Sequence, residues 1–255
     1  VTNPAFDDFA RYFPAFTNDL FCRYPFKQTR IKSVWLRKLL YTLSNYTARL
    51  LYRFPFRLPW IDNIFLDWHE SLDLNDPVFL QMAKKKILFV QGWQFQDKQN
   101  FAKFSQDIKK IFTPARKYLI NIENLIKKAK GSGDLIVGVH IRHGDYKTFE
   151  GGKYFYYTEI YADIMQQVKD LFKNKSIVFL ICSNEKQDPE MFAGLKTLFG
   201  TGHFIEDLYT LASCDYIMGP PSTFTIWASF YGKVPLYKII DCNKLLHIHD
   251  FTHIK

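Results

Sequence analysis

Short apolar runs alternate with amphipathic segments between residues 135 and 239, and this alternation constrains the fold more than any other feature of the chain. The first run is apolar from end to end, which is typical of a strand buried on both faces of a parallel sheet. Strands and helices that alternate at this spacing form right-handed βαβ units, so we predict a doubly wound α/β domain. The predicted strands are 135–141, 176–182, 203–205, 216–218 and 234–239, and the predicted helices are 158–172, 189–199, 208–214 and 223–231.

The first half of the chain has a different, helix-leaning pattern, with one predicted strand at 86–90. The pattern changes where a lysine-rich helix end meets Gly131-Ser132-Gly133. We therefore predict two domains, at 1–132 and 133–255. The chain opens on Val1-Thr2-Asn3-Pro4, which reads as the tail of a strand and has no initiator methionine. We expect the first domain to be incomplete, without its first strand, loop and helix.

The positive charge of the chain is concentrated in one segment. The formal net charge is +9, and residues 23–60 hold nine basic side chains and no acidic one. Apolar side chains recur at helical spacing within this segment. They are Trp35, Leu36, Leu39, Leu40, Leu43, Tyr46, Leu50 and Leu51. We expect this apolar face to pack into the domain; the alternative is peripheral contact of residues 23–60 with an anionic membrane.

Missing motifs disfavour several classes of protein. The sequence has no Gly-x-x-x-x-Gly-Lys-Ser/Thr loop, no Gly-x-Gly-x-x-Gly turn, no Gly-x-Ser-x-Gly elbow and no Asp-x-Asp at a strand end. P-loop kinases, typical dinucleotide dehydrogenases, common hydrolases and metal-dependent sugar transferases are therefore disfavoured. The basic charge comes with no nucleic-acid recognition motif, so we expect no nucleic-acid partner. His247, His249 and His253 are better explained as a polar tail than as a metal site.

The location we expect is cytoplasmic, and peripheral at the inner face of the membrane if the basic segment binds lipid. The four cysteines are far apart and form no Cys-x-x-Cys pair, which is typical of a reducing compartment. No apolar run reaches the roughly 18 residues that a spanning helix needs.

Two strand ends carry groups suited to an anion. The first predicted strand ends in Arg142, whose planar fork of donors matches phosphate, and Gly144 lets the chain turn just beyond it. The strand at 216–218 leads into Ser222 and Thr223 at the start of a helix, where free N–H groups and the helix dipole attract anions. Plain capping would also explain Ser222. We predict that these two strand ends hold a diphosphate between them.

Five short segments stand out in order along the chain. They are His140-Ile141-Arg142-His143-Gly144-Asp145-Tyr146, Ser183-Asn184-Glu185, the stretch from Asp207-Leu208 to Cys214-Asp215-Tyr216, Ser222-Thr223-Phe224, and Trp227. Together they resemble the bacterial α-1,2-fucosyltransferases of glycosyltransferase family 11. Upstream, 91–95 and 100–101 also resemble the segment that precedes the first motif in that family. The resemblance spans about residues 85–240.

The resemblance implies a GT-B fold of two Rossmann-like domains, an acceptor-side domain at 1–132 and a GDP-fucose-binding domain at 133–255. It implies an inverting, metal-independent transfer of L-fucose from GDP-β-L-fucose to a sugar hydroxyl, galactose O-2 of a surface glycan being the expected acceptor. GDP-fucose is then a substrate, and no cofactor is expected. The donor site would use His140 and Arg142 for the diphosphate, Asp207 for guanine, and Ser222-Thr223-Phe224 at the phosphates.

Two departures from the family pattern bear on activity. The position after Arg142 is often a second arginine in the family and is His143 here, so donor binding is expected to be weaker or pH-dependent. The family's usual opening segment around Gly-Leu-Gly-Asn is also missing. The alternative function is therefore a truncated or degenerate GT-B protein that binds GDP or glycan without catalysis.

Inverting transfer needs a base for the acceptor hydroxyl and stabilisation of the departing GDP. Arg142 is the catalytic candidate for the second need. Asp145 and Glu150 are the candidates for the base; Glu150 resembles in spacing a carboxylate proposed as base in the related α-1,6-fucosyltransferases. Asp145 has an equally good structural explanation: its carboxylate could orient Arg142 or cap the turn.

Overall fold

The protein is described by a computed structural model, which covers residues 9–15, 33–53, 59–67, 69–84, 87–92 and 94–254. The chain divides into two compact units, Val1–Thr113 and Pro114–Lys255. This division lies earlier than the predicted boundary at residue 132. The reason is the helix Arg116–Lys130, which buries Tyr118, Ile122, Ile126 and Ala129 within the second unit.

The described part of the first unit contains short helices and two parallel strand pairs. Its helices are α1 (Val34–Arg53), α2 (Pro77–Met82), α3 (Lys98–Lys103) and α4 (Ser105–Ile111), and its strands are β1 (Ile61–Phe65), β2 (Leu72–Asp73), β3 (Ile87–Gln91) and β4 (Phe95–Gln96). Strand β1 pairs with β3, and β2 pairs with β4. The strand predicted at 86–90 is therefore confirmed as β3, although Lys86 itself lies outside the described residues.

The second unit is a five-stranded parallel sheet covered by helices, which confirms the predicted α/β class. Its helices are α5 (Arg116–Lys130), α6 (Thr158–Leu171), α7 (Phe204–Leu211) and α8 (Thr223–Gly232), and its strands are β5 (Leu135–Ile141), β6 (Ile177–Ser183), β7 (Thr197–Phe199), β8 (Tyr216–Gly219) and β9 (Leu236–Lys238). The strand order is β7-β6-β5-β8-β9.

Strand β5 lies at the centre of this sheet and is buried along its whole length. Val137, Val139 and Ile141 point to one face, where they share an apolar core with the buried side chains of α6. Gly138 points to the other face, where an added Cβ would come within 2.7 Å of Leu211 on α7. The sequence of β5 is apolar almost throughout because both faces of this strand are covered by other parts of the unit.

The chain order of the strands reverses at β5. Moving outward from β5, the sheet continues to β6 and β7 on one side and to β8 and β9 on the other. In open α/β sheets, ligands bind beyond the carboxyl ends of the strands at such a switch point. The residues that follow β5 and β8 therefore border the expected crevice.

The segment between β6 and β8 differs from its prediction. The predicted helix at 189–199 is a short 3-10 turn, Pro189–Phe192, followed by β7. The predicted strand at 203–205 and helix at 208–214 are replaced by the single helix α7, which His203 caps by accepting a hydrogen bond from the N–H of Ile205. The three-residue edge strand β7 is too short to show a pattern in the sequence, and it is defined by its pairing with β6.

The predicted basic helix is confirmed as α1, but its apolar face is largely exposed. Trp35, Tyr46 and Leu50 are 71%, 67% and 60% exposed, while Leu40 and Leu51 are half-buried. The expectation that the whole apolar face packs into the domain is therefore wrong for its outer residues. Among the helices that the structure describes, none is both long and apolar enough to cross a bilayer.

Candidate functional site

Arg142 follows β5 directly and is held by Asp145. Its Nε and Nη2 atoms each lie 3.0 Å from one of the two Asp145 carboxylate oxygens, in a bidentate pair. The guanidinium also lies over the ring of Tyr146, 5.6 Å from its centroid. A guanidinium carries five N–H groups, so donors remain beyond those that face Asp145. Asp145 thus fixes the orientation of the Arg142 guanidinium, whose remaining N–H groups can still donate hydrogen bonds to an anion.

The start of α8 is the second group that the sequence analysis predicts to bind an anion. Ser222 is the N-cap residue, as predicted, and its Oγ accepts a hydrogen bond of 3.1 Å from the N–H of Phe224. Thr223 is exposed, and the first turn of α8 contains no acidic side chain. The positive end of the α8 dipole, which lies just after β8, is therefore not neutralised by a carboxylate from the first turn of α8.

Tyr146 connects these two groups. Its hydroxyl donates a hydrogen bond of 2.7 Å to the carbonyl oxygen of Pro221, the residue before the N-cap. It also makes a side-chain hydrogen bond with Ser222. The loop after β5 and the loop after β8 are therefore in direct contact across the switch point.

His140 lies below this edge rather than on it. It is 3% exposed, and its ring stacks on Phe224 at a centroid distance of 4.8 Å. Burial, with a smaller effect of the nearby Arg142 charge, lowers the pKa of His140 to about 3, so the ring is neutral at physiological pH. The close approach of β8 depends on Gly219, where an added Cβ would lie 2.8 Å from the His140 carbonyl oxygen. His140 therefore supports the helix start and offers no charge to a diphosphate.

His143, at the position where the family often has a second arginine, also faces inward. Its Nε2 lies 3.0 Å from the carbonyl oxygen of Tyr156, which can only accept, so Nε2 carries the hydrogen. Its Nδ1 is then the acceptor for the amide of Gln187 at 3.4 Å. Asn184 binds the backbone of His143 on both sides, at 2.8 Å to the N–H and 3.4 Å to the carbonyl oxygen. These contacts tie the loop after β5 to the end of β6.

Asp207 lies in the first turn of α7, not after a strand as predicted. It is 4% exposed, and its Oδ1 accepts a hydrogen bond of 2.9 Å from the N–H of Thr201. Burial raises the pKa of Asp207 to about 6, against the lowering effect of hydrogen bonds from Thr201 and Gly202. The carboxylate therefore sits under the loop that follows β7, and the Asp207 backbone lies beside the end of β6, where its carbonyl oxygen accepts a hydrogen bond of 3.7 Å from the Cys182 thiol.

Glu150 lies on the loop between β5 and α6 in a strained backbone conformation. Its φ and ψ angles are 50° and 37°, in the left-handed region, and its side chain is exposed. Gly151 and Gly152 follow with φ angles of 67° and 79°. A non-glycine residue in this region costs on the order of 1 kcal/mol, and such strain is found preferentially at functional sites.

The structure brings Arg142, Asp145, Tyr146 and the Ser222 helix start together, with His140 and Phe224 beneath them. Asp207 is at a separate position under the β7 loop. Sequence reasoning assigned no role to Tyr146, although its place at the end of the first motif was the available signal. In the described part of the chain, no group of three or more His, Cys, Asp or Glu side chains is arranged to hold a metal ion.

The fold and site define a protein whose parallel α/β unit carries an arginine and a helix start at its switch point. The family model of glycosyl transferase family 11 matches residues 48–244, and the chain belongs to this family. Among solved structures, a mutant of FUT1 from Arabidopsis thaliana in complex with GDP is similar, with 12% sequence identity and a TM-score of 0.47. That match covers 75% of this chain and 53% of the plant chain, so it spans about half the length of that protein. No curated protein matches the sequence.

The buried Asp207 generates a prediction about stability and pH. Its folded pKa of about 6 exceeds the usual value of 3.8, so protonation favours the folded state. The stability that protonation contributes is complete below about pH 4 and is lost as the pH rises through 6. Asp207→Asn keeps an oxygen that can accept the Thr201 N–H and carries no charge. We expect this variant to be more stable than the wild type at pH 8, by on the order of 1–3 kcal/mol.

Urea unfolding of both proteins between pH 4 and pH 8 measures the difference. The difference in free energy of unfolding between the variant and the wild type should grow with pH and level off above about pH 7. Asp163→Asn, at an exposed position on α6, serves as the control and should show no such trend. A constant difference between the Asp207 variant and the wild type over this range would refute the charge-burial explanation.

Proposed function

We propose that the protein transfers L-fucose from GDP-β-L-fucose to a sugar hydroxyl, with galactose O-2 of a surface glycan as the acceptor. Membership of glycosyl transferase family 11 supports sugar transfer. The observation that carries the proposal is the pairing of Arg142 with the Ser222 helix start at the switch point, because the two groups together suit a diphosphate. The second unit would bind the donor and the first unit the acceptor, in a GT-B arrangement.

The reaction breaks the bond between C1 of fucose and the terminal phosphate oxygen of GDP and forms a bond from C1 to the acceptor oxygen, with inversion at C1. Negative charge grows on the departing diphosphate. Arg142 and the N–H groups at the start of α8 would stabilise that charge as fixed, preorganised donors. These protein groups would stabilise the leaving diphosphate, as a divalent cation does in metal-dependent transferases.

The acceptor hydroxyl must lose its proton to a base, and Glu150 is the candidate that the geometry favours. One carboxylate oxygen of Asp145 accepts a hydrogen bond from Arg142 Nη2 and the other lies 3.0 Å from Nε, so this residue already has a role as the partner of the guanidinium. Glu150 is exposed on the same loop and is held in a strained conformation. We assign proton removal to Glu150 and orientation of Arg142 to Asp145.

Guanine is placed against Asp207 in this proposal. A carboxylate suits the adjacent ring N–H and amino donors of guanine. Since Asp207 is 4% exposed and bonded to Thr201, the loop at 200–202 has to open for the base to reach it. The raised pKa of this carboxyl fits such a role, because perturbed groups are concentrated at functional sites.

The test is a transfer assay with the full chain, GDP-fucose and a panel of galactose-ended acceptors. We expect fucosylated product from the wild type, and at least a 30-fold loss of GDP affinity in Arg142→Ala, since charge-assisted bidentate bonds contribute about 2 kcal/mol or more. Arg142→Lys should recover only part of the affinity, because the ammonium lacks the planar fork. GDP binding without transfer or donor hydrolysis would support the alternative, a non-catalytic GDP-binding protein. Absence of GDP binding would contradict the transferase and the GDP-binding form of the alternative, and would leave only glycan binding without catalysis.

A second prediction concerns the base. Glu150→Gln should lower kcat by about 10²–10⁴-fold, because general-base catalysis contributes this much, while GDP affinity stays unchanged. Initial rates at saturating donor and acceptor, combined with a GDP titration, measure the two effects separately. Glu159→Gln, an exposed glutamate in the first turn of α6, is the matched control. If Asp145→Asn abolishes turnover with GDP affinity intact, and Glu150→Gln does not, the base is Asp145.

We also propose that α1 contacts an anionic membrane surface. Trp35, Leu43 and Tyr46 are exposed on its apolar side. Basic side chains of the same helix, including Lys38 and Arg49, are exposed as well. A tryptophan-bearing apolar stripe with basic residues is typical of helices that lie in the membrane interface.

Vesicle sedimentation tests this contact. The wild type should bind vesicles that contain phosphatidylserine, bind pure phosphatidylcholine less, and lose binding as salt is raised. Trp35→Ser combined with Leu43→Ser should abolish binding, whereas Ile240→Ser, at a position 62% exposed in the second unit, should not. Equal binding of the double variant and the wild type would exclude α1 as the contact.

A further inference from the structure

Tyr146 is the one side chain in the candidate site that touches both anion-binding groups. It lies on the 3-10 helix Gly144–Lys147, in the loop between β5 and α6, and is 8% exposed. Its hydroxyl donates a hydrogen bond to the carbonyl oxygen of Pro221, which lies 75 residues later in the sequence. It also makes a hydrogen bond with Ser222. The far end of this side chain is therefore fixed to the turn from which α8 begins.

The ring of Tyr146 supports the other group. The Arg142 guanidinium lies over it, and Phe149 stacks on it at a centroid distance of 5.3 Å and an interplanar angle of 23°. A cation above an aromatic face is held by the ring quadrupole in addition to its ion pair. The position of Arg142 therefore depends on Asp145 from one side and on the Tyr146 ring from another.

The loop that carries Tyr146 has a second anchor, on the opposite side of β5. Asn184, just after β6, binds the backbone N–H and carbonyl oxygen of His143. Gly144 follows with a φ of 56°, and its Cα lies so close to Asn184 that an added Cβ would be 2.9 Å from the Asn184 amide nitrogen. With one end held at β6, the Tyr146 hydroxyl bond determines how far the loop stands from α8.

We propose that Tyr146 is a positioning residue that sets the separation between Arg142 and the start of α8, so that the pair accepts one diphosphate in preference to a monophosphate. This inference rests on the proposed GDP-sugar function and adds to it the residue that adapts the site to two linked phosphates. A preorganised pair of groups binds a ligand that spans both without the cost of ordering two separate loops. A monophosphate can bind only Arg142 or the start of α8 at one time, so its affinity depends little on the distance between them.

The experiment uses Tyr146→Phe in the full chain and isothermal titration with GDP and with GMP. The substitution keeps the ring beneath Arg142 and removes only the hydroxyl that holds Pro221 and Ser222. We expect GDP affinity to fall about tenfold, as the loss of one to two hydrogen bonds implies, and GMP affinity to fall less than about threefold. The preference for GDP over GMP should therefore decrease.

Tyr156→Phe is the matched control. It removes a tyrosine hydroxyl that also bonds to backbone carbonyl oxygens, those of Ile239 and Ile240, each at 3.1 Å, and it does not connect the two anion-binding groups. Both variants should lower Tm by similar amounts, and only Tyr146→Phe should change the ratio of GDP to GMP affinity. A merely structural role of Tyr146 would change Tm and leave that ratio as in the wild type.

A double-mutant cycle with Arg142→Ala gives a second measurement. If Tyr146 acts by placing Arg142 relative to α8, then Tyr146→Phe should have little further effect on GDP affinity when Arg142 is absent. Equal losses for GDP and GMP, or full additivity in the cycle, would overturn the inference and leave the proposed function intact. A wild-type chain that binds no GDP would overturn both.

Discussion

The parallel pairing of β5 with both β6 and β8 is the constraint on which the rest of the second unit depends. Because β5 has a neighbour on each side and helices on both faces, its seven residues are all buried and its end is fixed. The chain leaves β5 in one direction toward β6 and returns on the opposite side as β8. The loops that carry Arg142 and Ser222, 80 residues apart in sequence (222 minus 142), are brought into contact through Tyr146 only because of this arrangement.

The features that sequence reasoning predicted correctly are those encoded locally. The run Leu135–Ile141 is apolar at every position except Gly138 and His140, so its burial could be read directly. Ser222 was identified as an N-cap because its side chain bonds to an N–H only two residues away. The alternation of strands and helices likewise needs only short stretches of chain, and it predicted the α/β fold class correctly.

The features that were missed depend on contacts between distant parts of the chain. The inward orientation of His143 is determined by Asn184 and Gln187, more than 40 residues away, and a lone histidine after an arginine gives no sign of it. The burial of His140 depends on Phe224, and that of Asp207 on the loop at Thr201. The edge strand β7 has three residues, too few for a periodic pattern. No local pattern encodes these partners.

The ion pair between Arg142 and Asp145 has a consequence for the charge of the site when no ligand is bound. With more than half of the Asp145 side chain in solvent, the pair is weak, so an anion that binds the guanidinium can compete with it or share it. Without such an anion, the guanidinium still has a carboxylate partner and is not an isolated charge. In the proposed function, the release of nucleotide would therefore leave behind a paired cation.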